Sequence, residues 1–211
     1  MSLSSRLSLT THCAFLEEFF VYLQLGVQHI ADLQGCDHLL FVVTLCAAYQ
    51  VSAWRQILVL VTAFTVGHSL TLGLAALNLV RMPAALVEML IPITILLTAF
   101  YNVIAPKPAL GSAFGKDALP RYALALGFGL IHGLGFSNFF RALMGDAGSI
   151  LWPLFSFNVG IELGQAAILG IYFLLIWGIA RFWQTPHRDL NLFVSGVGAG
   201  GALLILLKQM G

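Results

Sequence analysis

The run Gln56-Ile-Leu-Val-Leu-Val-Thr-Ala-Phe-Thr-Val-Gly-His68-Ser-Leu-Thr-Leu-Gly-Leu-Ala-Ala-Leu-Asn-Leu-Val80 holds 25 residues without an Asp, Glu, Lys or Arg. A helix rises about 1.5 Å per residue and hydrocarbon is about 30 Å thick, so roughly 20 such residues suffice to cross it. Outward from this run, the uncharged gaps repeat. Met89 to Pro106 holds 18 residues, Tyr122 to Phe140 holds 19, and Leu190 to Leu207 holds 18. Glu162 is the one charge between Asp146 and Arg181, and a further uncharged run of 17 begins at His38. Near the N-terminus, Phe19, Phe20, Tyr22, Leu23 and Leu25 follow Glu17 and Glu18 in another apolar segment. The expected fold is all-α: a single polytopic transmembrane domain over 1–211 with six or seven spanning helices. The expected spans are 15–31, 38–54, 56–79, 83–105, 121–140, 150–180 and 190–207.

Composition supports the same reading. Of 211 residues, 59% are hydrophobic and 9% charged, against about 45–50% and 25% in soluble domains. The net charge of +1 leaves no basic face to neutralise phosphates, which argues against nucleic-acid binding. Cys13, Cys36 and Cys46 form neither a disulfide framework nor a CxxC pair. Met1 to Thr11 lacks the basic start and apolar stretch of a cleaved leader. Pro106 to Pro120, rich in turn formers, reads as a loop between spans.

With seven spans, Arg6, Arg55, Lys107, Lys116, Arg121, Arg181 and Arg188 share one side, and Arg81, Arg141 and Lys208 the other. Seven against three predicts a cytoplasmic N-terminus and an extracytoplasmic C-terminus. Trp54 and Trp183 then lie near the inner boundary and Trp152 near the outer one.

Ionisable side chains inside spans need a partner or a water-filled cavity. His29, His38, His68 and His132 lie in or at the ends of apolar segments, with Asp32, Asp37, Glu88 and Glu162. Counted by helical rise, His68 and His132 fall near mid-membrane, and His29, Asp37 and His38 flank an outer turn that the short second span lets re-enter the membrane. Asn158, Glu162 and Gln165, spaced i, i+4, i+7, share one helix stripe. Gly129 and Gly133 form a GxxxG pattern around His132, which predicts close helix packing there.

Imidazole with carboxylate suits zinc, nickel, cobalt or copper, so His29, Asp37, His38, His68 and His132 form the candidate metal set. Asp37 also fits a helix cap. Ser69 and Thr71 fit hydrogen bonds back to their own helix. Asn102 reads as an interhelical hydrogen bonder. Ser69, Glu88, Asn158, Glu162 and Gln165 are candidates for supporting or pathway positions.

Four ordered blocks then carry a resemblance: Gly26-Val-Gln-His29-Ile-Ala-Asp-Leu-Gln-Gly35-Cys-Asp37-His38-Leu-Leu-Phe41, Phe64-Thr-Val-Gly-His68-Ser69-Leu-Thr71-Leu, Gly129-Leu-Ile-His132-Gly133-Leu-Gly135-Phe136, and Phe157-Asn158-Val-Gly160-Ile-Glu162-Leu-Gly-Gln165. Over about Gly26 to Gln165 the chain resembles the HupE/UreJ family of hydrogenase and urease accessory membrane proteins. The resemblance implies an integral protein of the bacterial inner membrane, in contact with lipid, that handles or conducts nickel or cobalt alongside nickel-enzyme maturation proteins. His29, Asp37, His38, His68 and His132 would then carry the metal.

Two mechanisms are expected. In the first, a divalent-metal permease, the ion arrives from the extracytoplasmic side and exchanges water for imidazole, with Asp37 balancing charge. Protons compete for imidazole, so binding weakens below about pH 6. In the alternative, an intramembrane hydrolase, three histidines hold zinc that activates water, with Asp37 or Glu162 as general base and Ser69 orienting it.

Overall fold

The computed structural model describes residues 3–33, 35–105, 115, 118–144 and 150–210, with side chains over 16–33, 35–105, 115, 118–143 and 150–210. Most of the 106–120 loop, with Lys107 and Lys116, lies outside the described residues, as do the side chains of Arg6 and Cys13. Among the described residues the regular structure is entirely helical: α1 Leu3–Ile30, α2 Asp37–Cys46, a 3-10 turn Val51–Ala53, α3 Trp54–Ala76, α4 Ala84–Ile104, α5 Leu119–Met144, α6 Leu151–Trp183 and α7 His187–Met210. Five of these segments, those containing α3 to α7, are long and apolar enough to cross a membrane. Their exposed surface is greasy: Leu70, Phe100, Leu174, Trp177 and Leu204 all lie open. In water such a surface would aggregate; in lipid it is the natural exterior.

The second expected span is different. Residues 38–54 have no charge, yet α2 contributes 10 helical residues, about 15 Å, half the hydrocarbon thickness. Backbone turns through Ala47 to Gln50 end it before the 3-10 turn. Helix direction shows how α1 and α2 combine. Gly26 of α1 lies under the Phe157 carbonyl and Gly160 of α6 under the Leu23 carbonyl, and Gly164 approaches Ile30, so α1 runs parallel to α6. Against α3, α6 runs antiparallel, with Gly73 facing Leu154 and Thr62 reaching Glu162. α1 and α3 therefore point in opposite directions, and α2, antiparallel to α7 through Thr44–Gly198 and Leu40–Gly201, continues the direction of α1. The segments expected as two spans, α1 and the short α2, thus run in one direction with a break between Ile30 and Asp37.

Small residues explain the closest pairing. Gly67 of α3 sits beneath the Leu126 carbonyl, while Gly129 and Gly133 of α5 sit beneath those of Phe64 and His68. The expected GxxxG contact is thus made, with α3 as the partner, and the parallel pair holds His68 and His132 at one level. Thr71 Oγ1 reinforces it by donating to the Leu130 carbonyl at 2.7 Å.

α4 pairs with α7, and both pack on α2. Asn102 is the interhelical donor expected from the sequence: its Nδ2 donates to the Thr44 carbonyl at 2.6 Å, and its backbone carbonyl accepts from Asn191 Nδ2 at 3.0 Å. Pro92 inside α4 has no N–H to offer the carbonyl of Glu88. Gln209 Nε2 of α7 donates to that carbonyl instead, at 3.1 Å, so backbone at membrane depth stays satisfied.

Candidate metal centre

The break between α1 and α2 delivers two histidines to the level of two others. His29 belongs to the last turn of α1 and His38 to the first turn of α2; His68 and His132 come from the interiors of α3 and α5. Ring centroids lie 4.4 Å apart for His29–His38, 5.5 Å for His29–His68, 5.7 Å for His38–His68 and 5.0 Å for His38–His132. One potential ligand atom from each of His29, His38 and His68 falls within 4.8 Å of the other two. The helix ends on either side of the break thus bring His29 and His38 to His68 and His132, while Asp32, Leu33, Gly35 and Cys36 between them are exposed.

His38, His68 and His132 are buried, and His29 is half-buried. Aromatic rings close the surroundings: Phe136 lies 4.0 Å from the His29 ring and stacks on Phe157, whereas Phe41 and Phe64 flank His132 at 4.7 and 5.2 Å. All four lie in the motif blocks quoted above, but their apolar type does not reveal what they face.

Hydrogen bonds orient two of the imidazoles. Asp37 Oδ1 accepts from the His38 backbone N–H at 2.8 Å and lies 3.0 Å from His38 Nδ1. An ionised carboxylate can only accept, so in the neutral ring the proton sits on Nδ1 and the Nε2 lone pair is left for another group. Asp37 does not cap α2 as expected: the cap position is Cys36, without a side-chain hydrogen bond, and the Asp37 carboxylate engages His38 instead. Thr94 of α4 lies 2.9 Å from His132 Nε2 through its hydroxyl, which also donates to the Ile91 carbonyl at 2.7 Å. A hydroxyl with its proton so engaged accepts from the ring, which puts the His132 lone pair on Nδ1. Thr94 was missed from sequence, since a threonine within an apolar helix commonly bonds its own backbone.

Among the described residues, five buried imidazole nitrogens have no hydrogen-bond partner: His29 Nε2, His38 Nε2, His68 Nδ1 and Nε2, and His132 Nδ1. A neutral ring offers one lone pair, so the four histidines offer four, and the donor set fits a borderline-soft metal.

The supporting residues divide. Ser69 Oγ donates to the Thr65 carbonyl at 2.6 Å, along its own helix as expected. Gln165 Oε1 accepts from Thr65 Oγ1 at 3.2 Å, and Glu162 Oε2 from Thr62 Oγ1 at 3.5 Å. Asn158, Glu162 and Ser69 line a groove of about 690 Å³ between α3 and α6, which none of the four histidines lines. Glu88 does not join them: it is exposed near the start of α4. Its place in the outer half by residue count did not specify the side of the helix.

The helices and the buried histidine cluster define an integral membrane protein of polytopic helical type with a polar centre. Its family follows from the sequence as a whole: residues 5–207 match the family model described as HupE / UreJ protein, and the chain belongs to that family. No curated protein matches the chain, and no solved structure does.

Proposed function

We propose that this protein is a divalent transition-metal permease or metal-handling accessory protein for nickel or cobalt, with an intramembrane site made by His29, Asp37, His38, His68 and His132. The observation that carries the reading is the convergence of three imidazoles from separate helices within 4.8 Å, with unpartnered nitrogens among them. Membership of the HupE/UreJ family supports the choice of nickel or cobalt and an association with hydrogenase or urease maturation. His29, His38 and His68 would hold the ion, His132 would share or receive it, and Asp37 would orient His38 and offset charge. Glu162, beside the groove, would serve the ion's path.

In this reading α1 and α2 make one interrupted crossing and α3 to α7 make five more, which puts both termini on one side. Arg55, Lys107, Lys116, Arg121, Arg181 and Arg188 then oppose Arg6, Arg81, Arg141 and Lys208, six against four. That bias favours a bacterial inner-membrane orientation with both termini extracytoplasmic. Relative to the seven-span expectation, the N-terminus changes sides and the helices from α3 onward keep theirs.

Nickel and cobalt uptake into proteoliposomes tests the permease, with His68→Ala as the comparison. Equal rates for the two proteins would remove it. The Asp37–His38 hydrogen bond also favours a second reading, a zinc hydrolase, because carboxylate-oriented imidazole is a common zinc ligand. Stoichiometric zinc that survives purification would select the hydrolase, and exchangeable nickel or cobalt the permease.

A further inference from the structure

The deeper half of the outward face of α1 is unlike the rest of the bundle's exterior. Phe20 and Val21 are exposed after Glu17, but farther in Gln24 and Gln28 are exposed, and a step of four residues puts those two on one stripe of the helix. Leu23, Gly26 and Ile30 occupy the opposite side, against α6. Phe19 meets Trp152, the second residue of α6, at 5.6 Å, which marks the level where α6 begins. By helical rise, Gln24 lies about 7 Å and Gln28 about 13 Å farther into the bundle. Below them α1 stops, and Asp32, Leu33, Gly35 and Cys36 are exposed in the break that leads to Asp37 and His38. At comparable levels the neighbouring helices expose apolar side chains, as with Leu163 on α6 and Leu204 on α7.

Irregular backbone at membrane depth is tolerated where protein buries it or where it lines water. This chain leaves the break uncovered. A second copy placed symmetrically over the stripe would set Glu17 and Glu18 at the mouth, and Asp32 at the foot, against residues of their own charge. Water solvates all three without that repulsion.

We propose that the deeper outer face of α1, from Gln24 and Gln28 to Asp32, lines a water-filled trough that leads hydrated cations to His29 and His38. The water access stands independently of the metal reading above; the cation's use of it rests on that reading.

Charged, membrane-impermeant methanethiosulfonates react with thiolates in contact with water, which makes accessibility measurable. Cys13 and Cys46 are replaced by alanine so that Cys36 can be followed alone. Gln24→Cys, Gln28→Cys and Leu204→Cys are each placed in a background that also carries Cys36→Ala; Leu204 is exposed on α7 at the level of the break. In vesicles, Cys36, Gln24→Cys and Gln28→Cys should react at least about 100-fold faster than Leu204→Cys, because hydrocarbon excludes both the thiolate and the reagent. Reaction of Gln28→Cys and Cys36 as slow as that of Leu204→Cys overturns the trough, whether lipid or a second copy covers the stripe. Saturating nickel should slow labelling of Cys36 and leave Gln24→Cys unaffected. Unslowed labelling of Cys36 in protein that still binds nickel removes the cation route. Protein that binds no nickel or cobalt defeats the functional reading instead, and the first comparison still decides the water path.

Discussion

Replacing Gly129 by alanine separates the packing of α3 and α5 from the helix propensity of α5. The added methyl would lie against the Phe64 carbonyl oxygen, with the His68 amide nitrogen 3.0 Å away. A carbon meets a carbonyl oxygen comfortably at about 3.3–3.6 Å, so the two backbones must part by about 1 Å. Overpacking of this kind costs about 1–3 kcal/mol, partly offset by a gain of about 0.8–1 kcal/mol when alanine replaces glycine in a helix. Gly127→Ala is the matching control, because a methyl there meets nothing within 4 Å and carries the propensity gain alone. The difference between the variants, with propensity cancelled, should be about 1–3 kcal/mol against Gly129→Ala. Unfolding in mixed detergent micelles titrated with dodecyl sulfate, followed by circular dichroism, measures it. Parting the backbones also moves His132 away from the other imidazoles, so nickel affinity by calorimetry should fall for Gly129→Ala and hold for Gly127→Ala. Equal stability of the two variants would refute the account of how α3 and α5 meet.

The remaining expectations concern groups that tie or orient. Thr94→Val removes the hydroxyl beside His132 Nε2 and should weaken nickel binding about tenfold; Thr98→Val, whose hydroxyl donates to the Thr94 carbonyl at 2.8 Å, should leave affinity within error in the same titration. Asp37→Asn keeps an acceptor for His38 but removes the charge, and should lower affinity by about 10–100-fold with an unchanged unfolding curve. Asn102→Ala should cost about 1–2 kcal/mol in the dodecyl sulfate titration while leaving nickel stoichiometry intact, because its bonds to Thr44 and Asn191 lie outside the histidine cluster. Reporter fusions at the two termini should report the same, extracytoplasmic, side; opposite sides would restore an odd number of crossings.

What the sequence makes legible follows from what each kind of signal measures. Charge-free length registers the free energy of transfer into hydrocarbon, and that is why the expected spans 56–79, 83–105, 121–140, 150–180 and 190–207 overlap α3 to α7 closely. The same signal cannot separate a helix from an apolar turn, so Ala47 to Gln50 were counted into a span that ends at Cys46. It does place a turn between the expected spans 15–31 and 38–54, where α1 ends at Ile30 and α2 begins at Asp37, but it gives the second segment the length of a full crossing. The histidines were legible for a different reason: an imidazole in a span needs a partner, and four of them at similar depth need one another. Glu88 shows the limit of depth as an argument, since equal height on a bundle leaves a full rotation undetermined. Thr94, Phe136 and Phe157 stayed hidden because their types are ordinary in apolar helices and their roles exist only across helix contacts. The break itself joins these observations. A continuous first helix would carry His29 past the centre on one face, with no second helix end to bring His38 back toward it. Ending α1 at Ile30 and starting α2 at Asp37 turns one crossing into two inward-facing ends, and both deliver a histidine to the same few ångströms.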